Sequence, residues 1–168
     1  MENSNKTQVV KDFNEKSVLV SREFSAPIAL VWRAYTESEL LDQWWAPEPW
    51  RAETKRMDFV VGGHWLYAMV GTDNSKHWGI MNYKAIDPMH SIGIEDAFCD
   101  EDGNINISFP ISKGSTNFTV TPTGTKVEFK MQYPTEADLQ AIIEMGFEQG
   151  ITACLDQLEQ LFQTNKIA

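Results

Sequence analysis

From Lys16 the chain alternates. Val18, Val20 and Phe24 fall on one side and Leu19, Ser21 and Glu23 on the other, with Arg22 breaking the apolar side. A period of two predicts a strand with one covered face. The period then changes. In SAPIALVWRAYT, Ile28, Val31, Trp32 and Tyr35 recur at helical spacing, Ser25 suits an N-cap and Pro27 a first helical turn. Thr36 with Glu39 three residues on has the form of a capping box, which predicts a second short helix. Leu40, Leu41, Trp44 and Trp45 form its apolar side, and Pro47 and Pro49 stop it.

A β region follows. Arg51–Phe59 reads as a weak strand, Gly62-Gly63 as a turn or bulge, and HWLYAMV as a strand with Trp65, Tyr67 and Met69 on one side. HWGIMNYKAI and SIGIEDAF are strands on either side of an Asp87-Pro88 turn. Ile105–Ile111 reads as a short strand interrupted by Pro110, and TNFTVT and TKVEFKMQY form a hairpin about Pro122-Thr123-Gly124. In its second arm Val127, Phe129, Met131 and Tyr133 face one way, and Lys126, Glu128, Lys130 and Gln132 the other. One face is therefore wet and one covered, as in an antiparallel sheet.

The closing element is predicted as one long helix. Thr135 is its cap, with Asp138 at the third helical position. Leu139, Ile143, Phe147, Ile151, Cys154, Leu158 and Leu161 or Phe162 keep one apolar stripe. Gly146 and Gly150 interrupt it, either for close packing against the sheet or to leave room for a ligand. The order fits an α+β domain: one curved antiparallel sheet of about six or seven strands wrapped around a long C-terminal helix, with two short helices after the first strand. Residues 1–15 read as a flexible polar arm and 16–165 as the domain.

The blocks APIALVWRAYTESELLDQWWAP (26–47), Gly62-Gly63-His64-Trp65, Asp87-Pro88 and GFEQGITACLDQLEQLF (146–162) carry a resemblance. The pattern resembles the helix-grip superfamily of the birch-pollen allergen, the lipid-transfer START domains and the polyketide cyclases. Within it, the chain is similar to the activator-of-heat-shock-ATPase-like group, over roughly residues 17–163. Val60-Val61 departs from the basic residue and proline that the group commonly carries before the double glycine, so no role of that basic residue is carried over. The resemblance implies a cavity between helix and sheet. Trp65, Tyr67, Met69, Met81, Phe129, Met131, Phe147 and Ile151 are the candidate walls, and Trp50 the tryptophan of QWWAPEPW expected to touch a ligand. Neighbouring helical positions point about 100° apart, so Trp44 and Trp45 should diverge. One should bury against the C-terminal helix, the other toward the sheet edge or the cavity mouth.

Charge narrows the partners. A net charge of −10 repels phosphate backbones, so nucleic acid is not expected. No apolar run is long enough to span a membrane, and residues 1–12 lack the apolar core of a secretory leader, which makes a cytoplasmic protein the default. Cys99 and Cys154 form no C-x-x-C and read as reduced thiols. His64, His77 and His90 lack the spacing of a metal motif, so no metal or cofactor is expected. No nucleophile or phosphate-binding motif is present, and no catalytic residue is assigned. Arg22 and Asp96 sit on covered faces, where a charge needs a partner, a strand end or a cavity.

Three functions stay open. The first is binding of an apolar or amphipathic small molecule in the cavity. The second is a cyclase- or aromatase-like enzyme using polar cavity groups, with Asp96 as the acid. The third is a co-chaperone-like stimulator of a heat-shock ATPase, weakened by the short arm where the eukaryotic activators carry a further N-terminal domain. A homodimer stays open as well.

Overall fold

The alternating stretches pair into a single antiparallel sheet. A computed structural model describes residues 6–164. Its strands are β1 (Gln8–Asp12), β2 (Ser17–Phe24), β3 (Arg51–Met57), β4 (His64–Val70), β5 (Lys76–Asp87), β6 (Ser91–Cys99), β7 (Ser112–Thr121) and β8 (Gly124–Gln132). The helices are α1 (Ile28–Thr36), α2 (Ser38–Leu41), α3 (Glu136–Glu144) and α4 (Phe147–Gln163). The eight strands run in the order β1-β2-β8-β7-β6-β5-β4-β3. Register shifts between Thr54 and Arg56 and between Tyr83 and Ala85 are bulges of the kind that bend a sheet.

Register explains the two faces. Val18 lies opposite Met131 and Val20 opposite Phe129. Trp65 lies opposite Met81, Met81 opposite Asp96, and Asp96 opposite Ser112. These side chains share the concave face, under the helices. Most of the apolar ones, with Leu139, Leu155, Leu158 and Phe162 of the helices, make one core. On the outer face Leu66, Ile80 and Ala97 form a small second cluster, and the segment joining β6 to β7 lies over it at Gly103.

Several expectations need correction. The eighth strand is β1, built from residues assigned to the arm; it pairs with β2, and Lys11 meets Glu148 of α4 at 2.7 Å. The part of the arm before residue 6 lies outside the described residues. Ile105–Ile111 forms no strand, only a bridge between Ile105 and Cys99. Ser25 does not cap α1. Pro27 holds that position without a side-chain hydrogen bond, while the Ser25 backbone N–H donates to the Glu159 carboxylate. Thr36 opens no capping box: it is the last residue of α1, its hydroxyl donates to Trp32 O, and Glu37 sits at the N-cap of α2. α2 is a single turn, so Trp44 and Trp45 follow it rather than lie on it.

The long helix is also two helices. Gly146 takes φ +88° between α3 and α4, a left-handed conformation that suits glycine. Its N–H donates to Ile143 O and its carbonyl accepts from Gly150 N, so one residue closes α3 and opens α4. The stripe survives the break because the turn keeps the apolar faces of both helices on the sheet. Thr135 does cap α3: its hydroxyl accepts from the Asp138 N–H at 3.0 Å. Thr135→Ala should therefore cost about 1 kcal/mol in urea unfolding, and an unchanged midpoint would show the cap to be idle.

Candidate functional site

The helix break shapes a cavity. Between the sheet and the α3–α4 turn lies a space of about 300 Å³. Tyr67, Phe98, Phe129, Met131 and Tyr133 wall it from the sheet side, and Ile142, Met145, Phe147, Ile151 and Cys154 from the helices. Trp45 closes one corner, and the exposed His77 stands at the edge. A smaller void of about 40 Å³ lies under α1, α2 and α4, bordered by Arg22, Trp65, Met81, Ile92, Val127 and Leu155. Phe129, Ile151 and Trp45 border both spaces.

The glycines have local reasons. Tyr67 lies flat against Trp65 (ring centroids 4.2 Å) and crosses Gly79, where a Cβ would come within 2.8 Å of the phenol. Gly79 thus lets the ring lie close to β5 instead of filling the cavity. A Cβ at Gly150 would meet nothing within 4 Å. Close packing therefore does not account for Gly150; the position leaves space in the cavity wall.

Polar groups are few and gathered. Asp96 is part-buried, and it lines the larger space. Burial pushes its carboxyl up to about 7, against one hydrogen bond from the Ala97 backbone. Tyr67 and Tyr133 are held far above the ordinary phenol range, by burial first and by the Asp96 charge second. The Ser112 side chain meets the Tyr133 phenol. Trp45 Nε1 leans toward the Tyr67 hydroxyl but makes no hydrogen bond. Burial pushes the Cys154 thiol up to about 12, and its Sγ–H donates to Trp45 O, so it behaves as a packing thiol.

The candidate residues separate accordingly. Tyr67, Met69, Phe129, Met131, Phe147 and Ile151 come together around the larger cavity. Trp65 and Met81 border only the smaller one. Trp50 reaches neither: it packs against His77 at 5.3 Å, beyond the prolines that turn the chain outward. Of the adjacent pair, Trp45 takes the cavity corner. Trp44 is fully buried, donating its indole N–H to Ala34 O of α1 at 3.0 Å, while its carbonyl accepts from Gln157 of α4 at 3.3 Å. The helix reaches this corner through Gln157, which donates to Ala46 O and accepts from Glu48 N, each at 2.8 Å. Arg22 pairs with Asp156 of α4 and leaves its Nε unpartnered at the smaller void. Tyr133 and the helix-turn residues Ile142 and Met145 were not among the candidates. Tyr133 was readable from the β8 alternation; the other two depend on the turn at Gly146.

The histidines stand apart. His64 accepts from Arg56 Nε, and His90 sits on the Asp87-Pro88 turn. Among the described residues no cluster of His, Cys, Asp and Glu could hold a metal ion, and no helix is long and apolar enough to cross a membrane.

The comparisons agree with this architecture. The family model described as Activator of Hsp90 ATPase homolog 1-like protein matches residues 25–163. A Mycobacterium smegmatis protein of known crystal structure is 30% identical, with 92% of this chain and 95% of that one covered and a TM-score of 0.85. A Staphylococcus epidermidis protein solved by NMR is 30% identical over 94% of each chain, TM-score 0.82. An Arthrobacter aurescens protein is 25% identical, covering 94% of this chain and 91% of its own, TM-score 0.88. No curated protein matches the sequence significantly.

Proposed function

This chain belongs to the Activator of Hsp90 ATPase homolog 1-like family, and we propose that it binds an apolar or amphipathic small molecule between its sheet and the α3–α4 turn. One observation carries the reading. A space of about 300 Å³ is walled mostly by aromatic, aliphatic and thioether side chains, with a few polar groups at one place. Apolar walls supply affinity without direction, methionines adapt to shape, and convergent polar groups fix orientation. The reading places the protein in the cytoplasm, where Cys99 and Cys154, both free, stay reduced.

Gly150 offers the test. A leucine there should fill the space from the helix side and gain roughly 1 kcal/mol of helix propensity over glycine. Gly150→Leu should therefore be at least as stable as the parent and yet lose ligand. In a thermal-shift and native mass-spectrometry screen of fatty acids, sterols, flavonoids and polyketides, a ligand at about a hundredfold over its Kd adds about 2.7 kcal/mol to the parent. Gly150→Leu should show none of that gain. A flat response of the parent across the panel would sink the reading.

Two other readings each have one support. Cyclase-like proton transfer is favoured by a carboxyl held near neutrality beside two phenols in the same cavity. Turnover of a bound ligand that persists in Asp96→Asn would remove it. Stimulation of a heat-shock ATPase rests on the family's description, and ATPase rates with and without this protein test it.

A further inference from the structure

Among the described residues, Asp96 has no counter-charge. The side chains lining its cavity include no lysine and no arginine. Arg22, the buried cation of the concave face, borders the other void and is engaged by Asp156. The groups that the packed elements bring toward Asp96 are Tyr67 on β4, Ser112 on β7, Tyr133 after β8 and Cys154 on α4, with His77 at the edge on β5; Cys99, on its own strand, lies on the outer face with Ala97. α3 contributes the apolar Ile142 and Met145. An acid in such a place is costly when ionised, unless a cation comes to it.

The same space is rich in rings. Trp45, Tyr67, Phe98, Phe129, Tyr133 and Phe147 all border it. Aromatic faces are electron-rich and attract cations, most strongly where water is excluded. A lone carboxyl and a surround of aromatic rings thus favour the same guest. We propose that the cavity takes an amphipathic organic amine, its protonated nitrogen at Asp96 and its apolar body against Met131, Ile142 and Ile151. This rests on the binding reading above and names the ligand class. Anions are disfavoured by Asp96 and by the net charge of −10. Size narrows the class. A space of about 300 Å³ is about twice the roughly 150 Å³ of an apolar cavity that takes benzene, which suits a body of about a dozen non-hydrogen atoms.

Phenylbutylamine, phenylbutanol and phenylbutyrate share that body and differ in the head group. Calorimetric titration at about pH 8, where Asp96 is ionised, should rank amine over alcohol over carboxylate. A hydrogen bond to a charged group implies a preference for amine over alcohol on the order of tenfold or more. Asp96→Asn should bring the amine down to the alcohol and leave the alcohol within about twofold, which also shows that the variant is folded. At about pH 5.5 the preference should shrink, because Asp96 then holds its proton. Alcohol or carboxylate binding as tightly as amine, or a preference that survives Asp96→Asn, overturns the amine proposal and leaves the cavity reading standing. No binding by any of the three overturns the amine proposal, and together with a flat response across the screen above it overturns both.

Discussion

Trp44→Ala unfolds at a much lower urea concentration than the parent, with about 3–5 kcal/mol of stability lost. Three physical terms act together. The indole is fully buried, so truncation removes its whole transfer free energy and leaves a hole in the core. Its N–H bond to Ala34 O disappears, and that carbonyl lies near the end of α1, where intrahelical donors run out. Its tilted ring contact with Tyr35 (4.9 Å) and edge contact with Trp45 (5.2 Å) also go. Trp45→Ala is the control. Trp45 already borders empty space on two sides and its Nε1 has no hydrogen bond to lose, so its truncation should cost clearly less. Its main effect should be weaker ligand binding. Equal costs for the two, or a loss at Trp44 under about 1.5 kcal/mol, would mean that Trp44 does not anchor the corner.

How much of this was legible depends on the range of the signal. The β8 alternation named its covered face because a strand's period is local. The same holds for Trp65, Tyr67 and Met69 on β4 and for the Thr135 cap. Asp96 could be placed on the covered face for the same reason, but not in the cavity, because that depends on where the α3–α4 turn falls above it. The turn itself was half visible. Gly146 and Gly150 stood out in the stripe, yet a stripe that continues in phase across a break looks like one helix. Only the left-handed φ of Gly146 separates the two readings. β1 was missed because an edge strand need hide no face; Val10 is exposed, and Gln8 and Lys11 read as polar arm. Trp50 stands outside both spaces, against His77, because sequence neighbours do not stay neighbours beyond two prolines.

Asp96→Asn should gain stability over the parent as the pH rises. In the unfolded chain the carboxyl loses its proton near pH 3.9. In the folded protein burial holds it until about 7. Below both values each state is protonated, and the titration of Asp96 contributes nothing. Between them the unfolded state binds fewer protons than the folded one, so the slope of stability against pH is negative. The parent thus loses stability from about pH 4 to about pH 7 and no more above that. The loss has a ceiling of about 4 kcal/mol, since each tenfold in proton affinity is 1.36 kcal/mol, and water entering the cavity lowers it. Asparagine does not titrate, so subtracting the two stability curves isolates this one group. Urea unfolding of both proteins at a series of pH values measures the difference. A difference that stays flat, or that falls with pH, would show that Asp96 ionises freely and does not face a dry cavity. A bound amine reverses the balance, because an ion pair favours the charged form. The parent's curve with phenylbutylamine present should therefore be flatter than the curve without it, while the Asp96→Asn curves with and without amine should keep the same slope.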